Sequence, residues 1–349
     1  MKMTLTICLL LLTGMAISQN RPPDFSYVDR KVNGIEGKDP VLLSKQLTED
    51  YTRDIEKVRS IFRWIADNIS YYKKPPPSKR KQRKGIREYE PPAPSDTGAL
   101  PPLTDRVAAK VLEDRQAVCE GYARLFKSLC DHAGIQSEII TGYARSEPSI
   151  LQSRFRSNHS WNAVFIDSSW FLLDVTWASG VTISNSGEFL RYFDDYYFLT
   201  PPDKFIRHHY PDDLRWTLLD DCPVLTEFKS APYKQRSYVK YPIVHYFPRG
   251  GIIEATVGDT IRLELATNPD DRLWSIGPDS LWDAIDFTNP SLAYVQPITP
   301  AESNKYFYSY PVVSENTQWL HVMLNNDVVL RYRLKIRKDL VKEARTSTD

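Results

Sequence analysis

The sequence of 349 residues lacks several features that commonly point to a function. It has no glycine-rich phosphate-binding loop and no acidic loop of the calcium-binding type. Its 45 lysine and arginine residues almost balance its 44 aspartate and glutamate residues, so a net charge of +1 creates no global field that would draw the protein to nucleic acid or anionic lipid. Partners therefore have to be inferred from individual sites.

Glycine is also scarce, with 14 residues against 25 prolines and 20 tyrosines. A hydrophobic fraction of 42% excludes a disordered chain, and the low glycine content excludes a collagen-like one. The length allows one large domain or, more in keeping with domain sizes, two domains with separate cores. We therefore look for two structural units along the chain.

Long apolar segments are confined to the N-terminus. Lys2, followed by the apolar stretch from Leu5 to Leu12, is typical of a secretory leader, which we assign to residues 1–18 with cleavage near Ser18-Gln19. This apolar core is shorter than the roughly 20 residues that span a bilayer, and no later segment is longer, so we expect no membrane insertion. The sequence predicts a secreted or periplasmic protein.

Cysteine is rare, and removal of the leader leaves Cys119, Cys130 and Cys222. Three cysteines cannot all pair with one another. In an oxidising compartment an unpaired thiol is a candidate nucleophile. A disulfide between Cys130 and Cys222 stays open, because the sequence does not reveal the distance between their Cα atoms.

Helical spacing of apolar residues occurs in three segments of the first half. It predicts an amphipathic helix from Asp54 to Ile69, a short helix from Asp105 to Leu112 with Thr104 as its cap, and a helix from about Val118 to His132 that ends at Gly134. After Gly134 the apolar period changes to that of strands. Helices therefore come before a sheet in this part of the chain.

Residues 73–102 are basic and rich in proline, and such a segment cannot bury apolar surface. We predict a solvated loop. Docking to an acidic surface or polymer is one interpretation. A flexible surface loop without a binding partner is favoured, because stretches of charged residues usually stay solvated.

Three strands follow the helices, at Ser137 to Tyr143, Ser160 to Ile166 and Trp170 to Thr176. The last two are joined by a polar turn at residues 167–169, which indicates an antiparallel hairpin. Helices followed by an antiparallel sheet indicate an α+β fold, and we assign this first domain to residues 19–220.

Alternating segments without helical interruption fill the second half. They predict a β-sandwich over residues 235–340, preceded by a linker at 221–234 and followed by a polar tail at 341–349. The predicted strands are Ile252–Val257, Thr260–Ala266, Tyr306–Val313, Trp319–Leu324 and Val328–Ile336.

Cys119, His159 and Asp174 form the candidate catalytic set. Cys119 lies at the start of a predicted helix, where unpaired N–H groups and the helix dipole favour a thiolate. His159 lies at the head of a predicted strand and could act as the base. If the hairpin turns on two residues, Asp174 is a same-face diagonal neighbour of His159, and a buried carboxylate needs such a partner.

The residues around this set resemble the transglutaminase-like superfamily, and the segment from Tyr197 to Leu219 is similar to its kyphoscoliosis-peptidase branch. The resemblance covers about Lys38 to Leu219. The matching runs are Trp64-Ile65-Ala66-Asp67-Asn68-Ile69, Val118-Cys119-Glu120-Gly121-Tyr122-Ala123, Asn158-His159-Ser160-Trp161-Asn162-Ala163-Val164 and Trp170-Phe171-Leu172-Leu173-Asp174-Val175-Thr176-Trp177.

The resemblance implies a papain-like core and acyl transfer through a thioester on a protein or peptide substrate, without a cofactor. Cys119 would attack the acyl carbon, His159 would carry protons and Asp174 would hold the imidazole. The oxyanion would be met by the backbone N–H of Cys119 and a polar group upstream, for which Gln116 is the nearest candidate. Trp161, Trp170 and Trp177 are candidates for the walls of a substrate cleft, with packing of the hairpin as the equal alternative.

Three other interpretations of these residues compete with an exported hydrolase. His208 and His209 could suggest a metal site, but adjacent strand residues point to opposite faces and no neighbouring carboxylate or cysteine completes a set, so we expect no metal. A catalytically idle module that binds protein or polysaccharide and a true cross-linking transglutaminase both stay open. An exported peptidase or amidohydrolase is favoured, since a pure binder has no need of all three catalytic side chains. The sequence does not indicate an oligomeric state.

Overall fold

The structure is a computed structural model that describes residues 24–72, 101–145, 157–182, 188–268, 288–298 and 304–337. The predicted leader, residues 73–100 of the predicted basic loop and the predicted polar tail lie outside the described residues. No helix in the described ranges is both long and apolar enough to cross a membrane. Within them, helices and strands are both abundant, and the predicted α+β class is confirmed.

The helices of the described chain are concentrated before residue 231. They are α1 (Ser26–Lys31), α2 (Pro40–Thr48), α3 (Asp54–Asn68), α4 (Leu103–Asp114), α5 (Cys119–His132), α6 (Val175–Ser179), α7 (Pro202–Phe205) and α8 (Leu225–Ser230).

A four-stranded antiparallel sheet completes the first unit, with the strand order β5 (Ser169–Leu173), β4 (His159–Ile166), β3 (Ser137–Ala144) and β8 (His209–Pro211). Two separate two-stranded pairs belong to the same half. The strands of this half are β1 (Ser70–Tyr71), β2 (Gln116–Ala117), β3 (Ser137–Ala144), β4 (His159–Ile166), β5 (Ser169–Leu173), β6 (Gly180–Thr182), β7 (Phe189–Arg191) and β8 (His209–Pro211).

Helix α5 is held between α3 and the sheet. The fully buried side chains of Trp64, Tyr122 and Phe126 belong to the same core. Two buried hydrogen bonds fix the helix in this core: the Tyr122 hydroxyl donates to the Ile69 carbonyl at 2.7 Å, and the Asn162 amide donates to the Ala123 carbonyl at 3.0 Å. The first turn of α5 is therefore rigidly placed against β4.

Helix α4 begins at Leu103, immediately after Pro102, and no side chain caps it. The predicted cap at Thr104 is therefore wrong, because Thr104 already lies inside the helix. The physical reason is the proline pair before the helix, since proline is tolerated at a helix start and not in its interior.

The hairpin between β4 and β5 turns on Asp167 and Ser168, which have φ angles of 48° and 65°, so that Ile166 faces Ser169. Two central residues with positive φ form the hairpin turn that suits the twist of strands. The strand β5 ends at Leu173 rather than at Thr176 as predicted. Asp174 instead begins α6, where its Oδ1 accepts a hydrogen bond from the Trp177 N–H at 3.1 Å.

Two further sheets form the second unit. One has the strand order β10 (Ile243–Phe247), β12 (Thr260–Thr267) and β14 (Lys305–Pro311), and the other has the order β11 (Ile252–Thr256), β16 (Asp327–Arg337), β15 (Trp319–Leu324) and β13 (Leu292–Val295). Buried residues from both sheets share one core, among them Leu263, Tyr308, Val322 and Tyr332. The strands of this half are β9 (Tyr233–Lys234), β10 (Ile243–Phe247), β11 (Ile252–Thr256), β12 (Thr260–Thr267), β13 (Leu292–Val295), β14 (Lys305–Pro311), β15 (Trp319–Leu324) and β16 (Asp327–Arg337).

The segment predicted as a linker is more ordered than its proline content suggested. It contains α8 and β9, and β9 pairs with β16 of the second unit. Strands β10 and β13 were also not predicted, because they are short and lack strict alternation. The last described strand, β16, therefore pairs with a segment that directly follows the first unit.

Candidate active site

Cys119 is the first residue of α5, a helix of 14 residues, and its side chain is partly exposed. The first N–H groups of a helix have no partners within the helix, and the dipole places partial positive charge there. Because the opposite face of α5 is buried, the thiol is held at one position at the edge of the sheet. This is the environment that stabilises a thiolate.

His159 and Asp174 are joined by a short hydrogen bond. His159 begins β4, and its Nε2 lies 2.7 Å from Asp174 Oδ2. Asp174 is completely buried and His159 is 9% exposed. The carboxylate is further fixed by the Trp177 N–H on its other oxygen. Asp174 therefore has the partner that its burial demands.

Opposing effects act on the pKa values of this pair. Burial alone would lower the pKa of His159, but the charge and hydrogen bond of Asp174, with a smaller contribution from Cys119, raise it to about 9. Burial alone would raise the pKa of Asp174, but the two imidazoles of His159 and His209 bring it well below its usual range. The pair is therefore an imidazolium and a carboxylate at neutral pH.

His159 also acts on the pKa of the Cys119 thiol. Burial would raise the pKa of Cys119, but a hydrogen bond and the positive charge from His159, together with the backbone of Ser160, lower it below its ordinary value. Burial raises the pKa of Cys130, which lies in the core. The pKa values of two thiols on one helix are thus shifted in opposite directions, and only the shift at Cys119 favours a thiolate.

His209 is a neighbour of this set that the sequence analysis missed. It lies on β8, is almost completely buried, and its Nε2 lies 2.9 Å from Asp174 Oδ2. The expectation that no carboxylate lies near the paired histidines is therefore wrong. The contact depends on the tertiary structure, because the pairing of β8 with β3 brings together two residues that lie 35 positions apart in the sequence.

Gly142 allows β8 to approach the sheet this closely. It faces His159 on one side and Pro211 on the other. A Cβ atom at this position would lie 2.3 Å from the Tyr210 carbonyl oxygen and 2.6 Å from the Trp161 ring. The glycine is thus needed for the close contact that places His209 beside Asp174.

His208 points to the other face, as expected for adjacent strand residues. Its Nε2 lies 2.7 Å from the Lys234 carbonyl oxygen, and its ring packs on Tyr233 at 5.3 Å between centroids. Burial lowers its pKa to about 3, so the side chain is neutral. The two histidines therefore contact different environments.

Comparison with known proteins agrees with this arrangement. Residues 88–175 match the sequence profile of the transglutaminase-like superfamily. The chain is therefore similar to this superfamily over the segment that contains Cys119, His159 and Asp174. It is 30% identical over 226 residues to the kyphoscoliosis peptidase of Homo sapiens, an alignment that covers 64% of this chain and 31% of that protein. It is 28% identical over 268 residues to hillarin of Drosophila melanogaster, with 71% and 30% covered.

These matches confirm the predicted resemblance to the kyphoscoliosis-peptidase branch of the transglutaminase-like superfamily. A shorter match, 33% identical over 134 residues, links the chain to the Lim and transglutaminase domain protein ltd-1 of Caenorhabditis elegans, covering 35% of this chain and 18% of that protein. The chain spans about a third or less of the length of these curated relatives. The segment that matches the family profile includes Cys119, His159 and Asp174.

The three predicted cleft tryptophans have different environments in this transglutaminase-like site. Trp177 is partly exposed and its ring lies 5.6 Å from His159 and 4.5 Å from His209. Trp161 is 1% exposed and packs in the core behind His159. Trp170 packs against Trp216 at 5.0 Å and contacts neither histidine ring. Trp177 alone combines exposure with contact to His159.

Gln116 lies on β2, three residues before Cys119, and its side chain is exposed. Within the described residues its side chain makes no hydrogen bond, so nothing orients it toward the nucleophile. Cys119, Cys130 and Cys222 are all free thiols, and the disulfide that the sequence left open is not formed.

His159, Asp174 and His209 also form a group that could hold a metal ion, since one ligand atom from each lies within 4.8 Å of the others. The observed contacts of 2.7 and 2.9 Å are those of hydrogen bonds through Nε2 protons. A metal would have to replace both protons. The geometry therefore fits two imidazoles, of His159 and His209, that donate Nε2 protons to the Asp174 carboxylate.

Proposed function

We propose that this protein is a cysteine-dependent acyl-transfer enzyme that acts on amide bonds through a thioester, as a peptidase or amidohydrolase. The observation that carries the proposal is the buried hydrogen bond between His159 and Asp174, together with the lowered pKa that His159 gives the Cys119 thiol. Nucleophile, base and orienting group lie in the order that covalent catalysis requires.

The proposed reaction has two steps. The Cys119 thiolate attacks the amide carbon, and the oxyanion that forms lies near the N–H groups at the start of α5. The His159 imidazolium then gives its proton to the leaving amine, which leaves a thioester on Cys119. His159, now neutral, takes a proton from water, and the resulting hydroxide attacks the thioester. The acyl group leaves as a carboxylic acid, and the thiolate of Cys119 and the imidazolium of His159 are restored. Asp174 keeps the imidazole oriented and stabilises its positive charge in the first step.

The decisive experiment is a mixture of peptides and amine donors incubated with the purified mature protein and with its Cys119→Ala variant. Mass spectrometry of the products distinguishes the candidate activities. Shortened or deamidated peptides that require Cys119 support the hydrolase, and isopeptide products that require it support a cross-linking transglutaminase. Identical product lists for both proteins would indicate a catalytically idle binding module.

We further propose that the protein acts outside the cytoplasm. The support is the sequence of residues 1–18, which has the charge, apolar core and cleavage site of a secretory leader. Fractionation of expressing cells followed by N-terminal sequencing tests this. A mature chain that begins near Gln19 in the exported fraction is expected, and an intact Met1 in the cytoplasmic fraction would contradict export.

A further inference from the structure

A second cluster of charged side chains lies on the other side of β8. Arg145 directly follows β3, Arg207 lies two residues before β8, Lys234 belongs to β9 and Arg249 lies two residues after β10. Four elements thus bring four cations together, although the residues span more than a hundred positions of the chain. None of the four belongs to the proposed catalytic set, so their arrangement is independent of the proposed function.

Two tyrosine rings show how closely the cations converge. The Lys234 Nζ lies 5.4 Å from the ring centroid of Tyr238 and 5.5 Å from that of Tyr246. The guanidinium carbon of Arg207 lies 5.0 Å from the Tyr238 ring, and that of Arg249 lies 5.1 Å from the Tyr246 ring. Both arginines therefore share an aromatic neighbour with the lysine.

Arg145 joins the cluster from the first unit. It is 7% exposed, its guanidinium lies 5.5 Å from the Tyr233 ring, and it donates to the carbonyl oxygens of Phe228 and Ala231 at 3.3 and 3.0 Å. These acceptors are neutral, so they satisfy hydrogen bonds and leave the positive charge of Arg145 without compensation.

The cluster lacks negative charge in the described part of the chain. No carboxylate described by the structure pairs with any of the four cations. Arg249 is exposed, and its Nη2 donates to His245 Nδ1 at 3.2 Å. The Arg207 Nη1 is buried and has no hydrogen-bond partner. Buried cations and unsatisfied donors each cost free energy unless an anion or acceptor compensates them. The cluster therefore lacks the negative charge and the acceptor that a purely structural role would require.

Repulsion among the four cations also indicates that a compensating anion is missing. Burial and the nearby charges of Arg207, Arg249 and Arg145 lower the pKa of Lys234 to about 8, and no group raises it. The cation–π contacts offset part of the cost, but they carry no net negative charge. A bound anion would restore the balance of charge.

We propose that Arg145, Arg207, Lys234 and Arg249 form a binding site for a phosphate or sulfate group. A doubly charged tetrahedral oxyanion has enough acceptor oxygens to bind several of these donors at once, whereas a single carboxylate would compensate only one cation. Guanidinium groups match such oxyanions with paired hydrogen bonds, and lysine adds a point charge. The ligand is a small phosphorylated or sulfated molecule, or the free anion.

The site adjoins the catalytic set through two consecutive residues. The His208 side chain contacts the Lys234 carbonyl, and His209, the next residue, contacts Asp174. An anion bound to Lys234 and Arg207 would therefore hold the same strand end that carries the Asp174 partner. Binding of an anion at this site can be measured without any catalytic activity.

The experiment measures thermal unfolding of the full mature protein against increasing inorganic phosphate or sulfate, with potassium chloride at matched ionic strength. The variant is Lys234→Met, which keeps the length and apolar stem of the side chain. The control is Lys335→Met, which removes the same charge from an exposed position of the second unit. Far-UV circular dichroism verifies that each variant is folded.

We expect the melting temperature of the wild type and of Lys335→Met to rise in a saturable way with phosphate or sulfate and not with chloride. Lys234→Met should lose about tenfold or more in apparent anion affinity. Without added anion, Lys234→Met should melt at the same or a higher temperature than the wild type, because it relieves repulsion. Phosphoserine and a sulfated monosaccharide then distinguish phosphorylated from sulfated ligands.

Two results would overturn the proposal. The first is an anion response that is the same in Lys234→Met and Lys335→Met, or that chloride reproduces. The second is a loss of stability in Lys234→Met that is equal with and without phosphate, which would mean that the cluster only supports the fold. Arg207→Gln, which removes the unpartnered donor, provides an independent second variant with the same expected loss of anion response.

Discussion

The Nε2 of His209 lies 2.9 Å from the Asp174 oxygen that also contacts His159 at 2.7 Å. One carboxylate oxygen thus accepts hydrogen bonds from two imidazoles. Burial lowers the pKa of His209, and its bond to Asp174 does not fully offset that effect, so His209 is the neutral member of the pair. In the proposed enzyme it positions the carboxylate for His159.

His209→Ala is expected to reduce kcat about tenfold, because Asp174 loses a buried donor and one of the contacts that hold it. His209→Gln, which retains an N–H donor, should recover part of this loss. Steady-state kinetics on a peptide found with the product screen measures both. His208→Ala is the matched control, since it removes an adjacent buried histidine that does not contact Asp174. Equal losses in both alanine variants would assign only a packing role to His209.

Asp174→Asn should lower kcat/KM by about three orders of magnitude, since the amide cannot stabilise the imidazolium of His159. The same substitution should bring the pKa of His159 down from about 9. NMR titration of the His159 ring follows the second effect without a substrate. A titration midpoint that does not move would show that Asp174 does not control the charge of this histidine.

The raised pKa of His159 also predicts how stability depends on pH. A group whose pKa is raised by folding contributes stability that is complete below its unfolded pKa and is lost as the pH rises through the folded value. His159 changes from 6.5 to about 9, so the contribution, at most about 3 kcal/mol, should disappear between these pH values. Urea unfolding of the wild type and His159→Gln at pH 6 and pH 9.5 measures it. Parallel losses in the two proteins would contradict the prediction.

Gly142→Ala should destabilise the fold by about 2–3 kcal/mol, because the added methyl group would overlap the Tyr210 carbonyl and the Trp161 ring. It should also lower activity by moving β8 and His209 away from Asp174. Gly250→Ala is the matched control, since its nearest heavy atom would lie 4.0 Å away. Urea titrations of both variants make the comparison. A Gly142→Ala protein as stable as Gly250→Ala would exclude a close approach of β8.

Much of the transglutaminase-like unit follows from local patterns. The period of α5 placed Cys119 at a helix start, and the parity of a two-residue turn placed Asp174 on the same side of the hairpin as His159. Both arguments use residues within one element or one hairpin, where geometry repeats along the chain. The end of β5 was predicted too late because Asp174 prefers to cap α6.

His209 and the cation cluster could not be predicted in this way. The contact between His209 and Asp174 depends on β8 returning to β3, and the four cations meet only because β9 and β10 approach the same strand end. Contacts of this kind depend on how distant strands are arranged in the fold, and they leave no periodic signal in the sequence. A buried polar side chain needs a hydrogen-bond partner, and His209 has none close to it in sequence. This is the signal that would have drawn attention to it.

The most direct test of the account is the rate at which iodoacetamide alkylates each thiol as a function of pH, read by peptide mass spectrometry. We predict that Cys119 reacts well below pH 8.5 and faster than Cys130 and Cys222, and that His159→Ala slows this reaction. Equal, slow labelling of the three cysteines, unchanged in His159→Ala, would show that no thiolate is prepared at Cys119 and would contradict the proposed catalytic function.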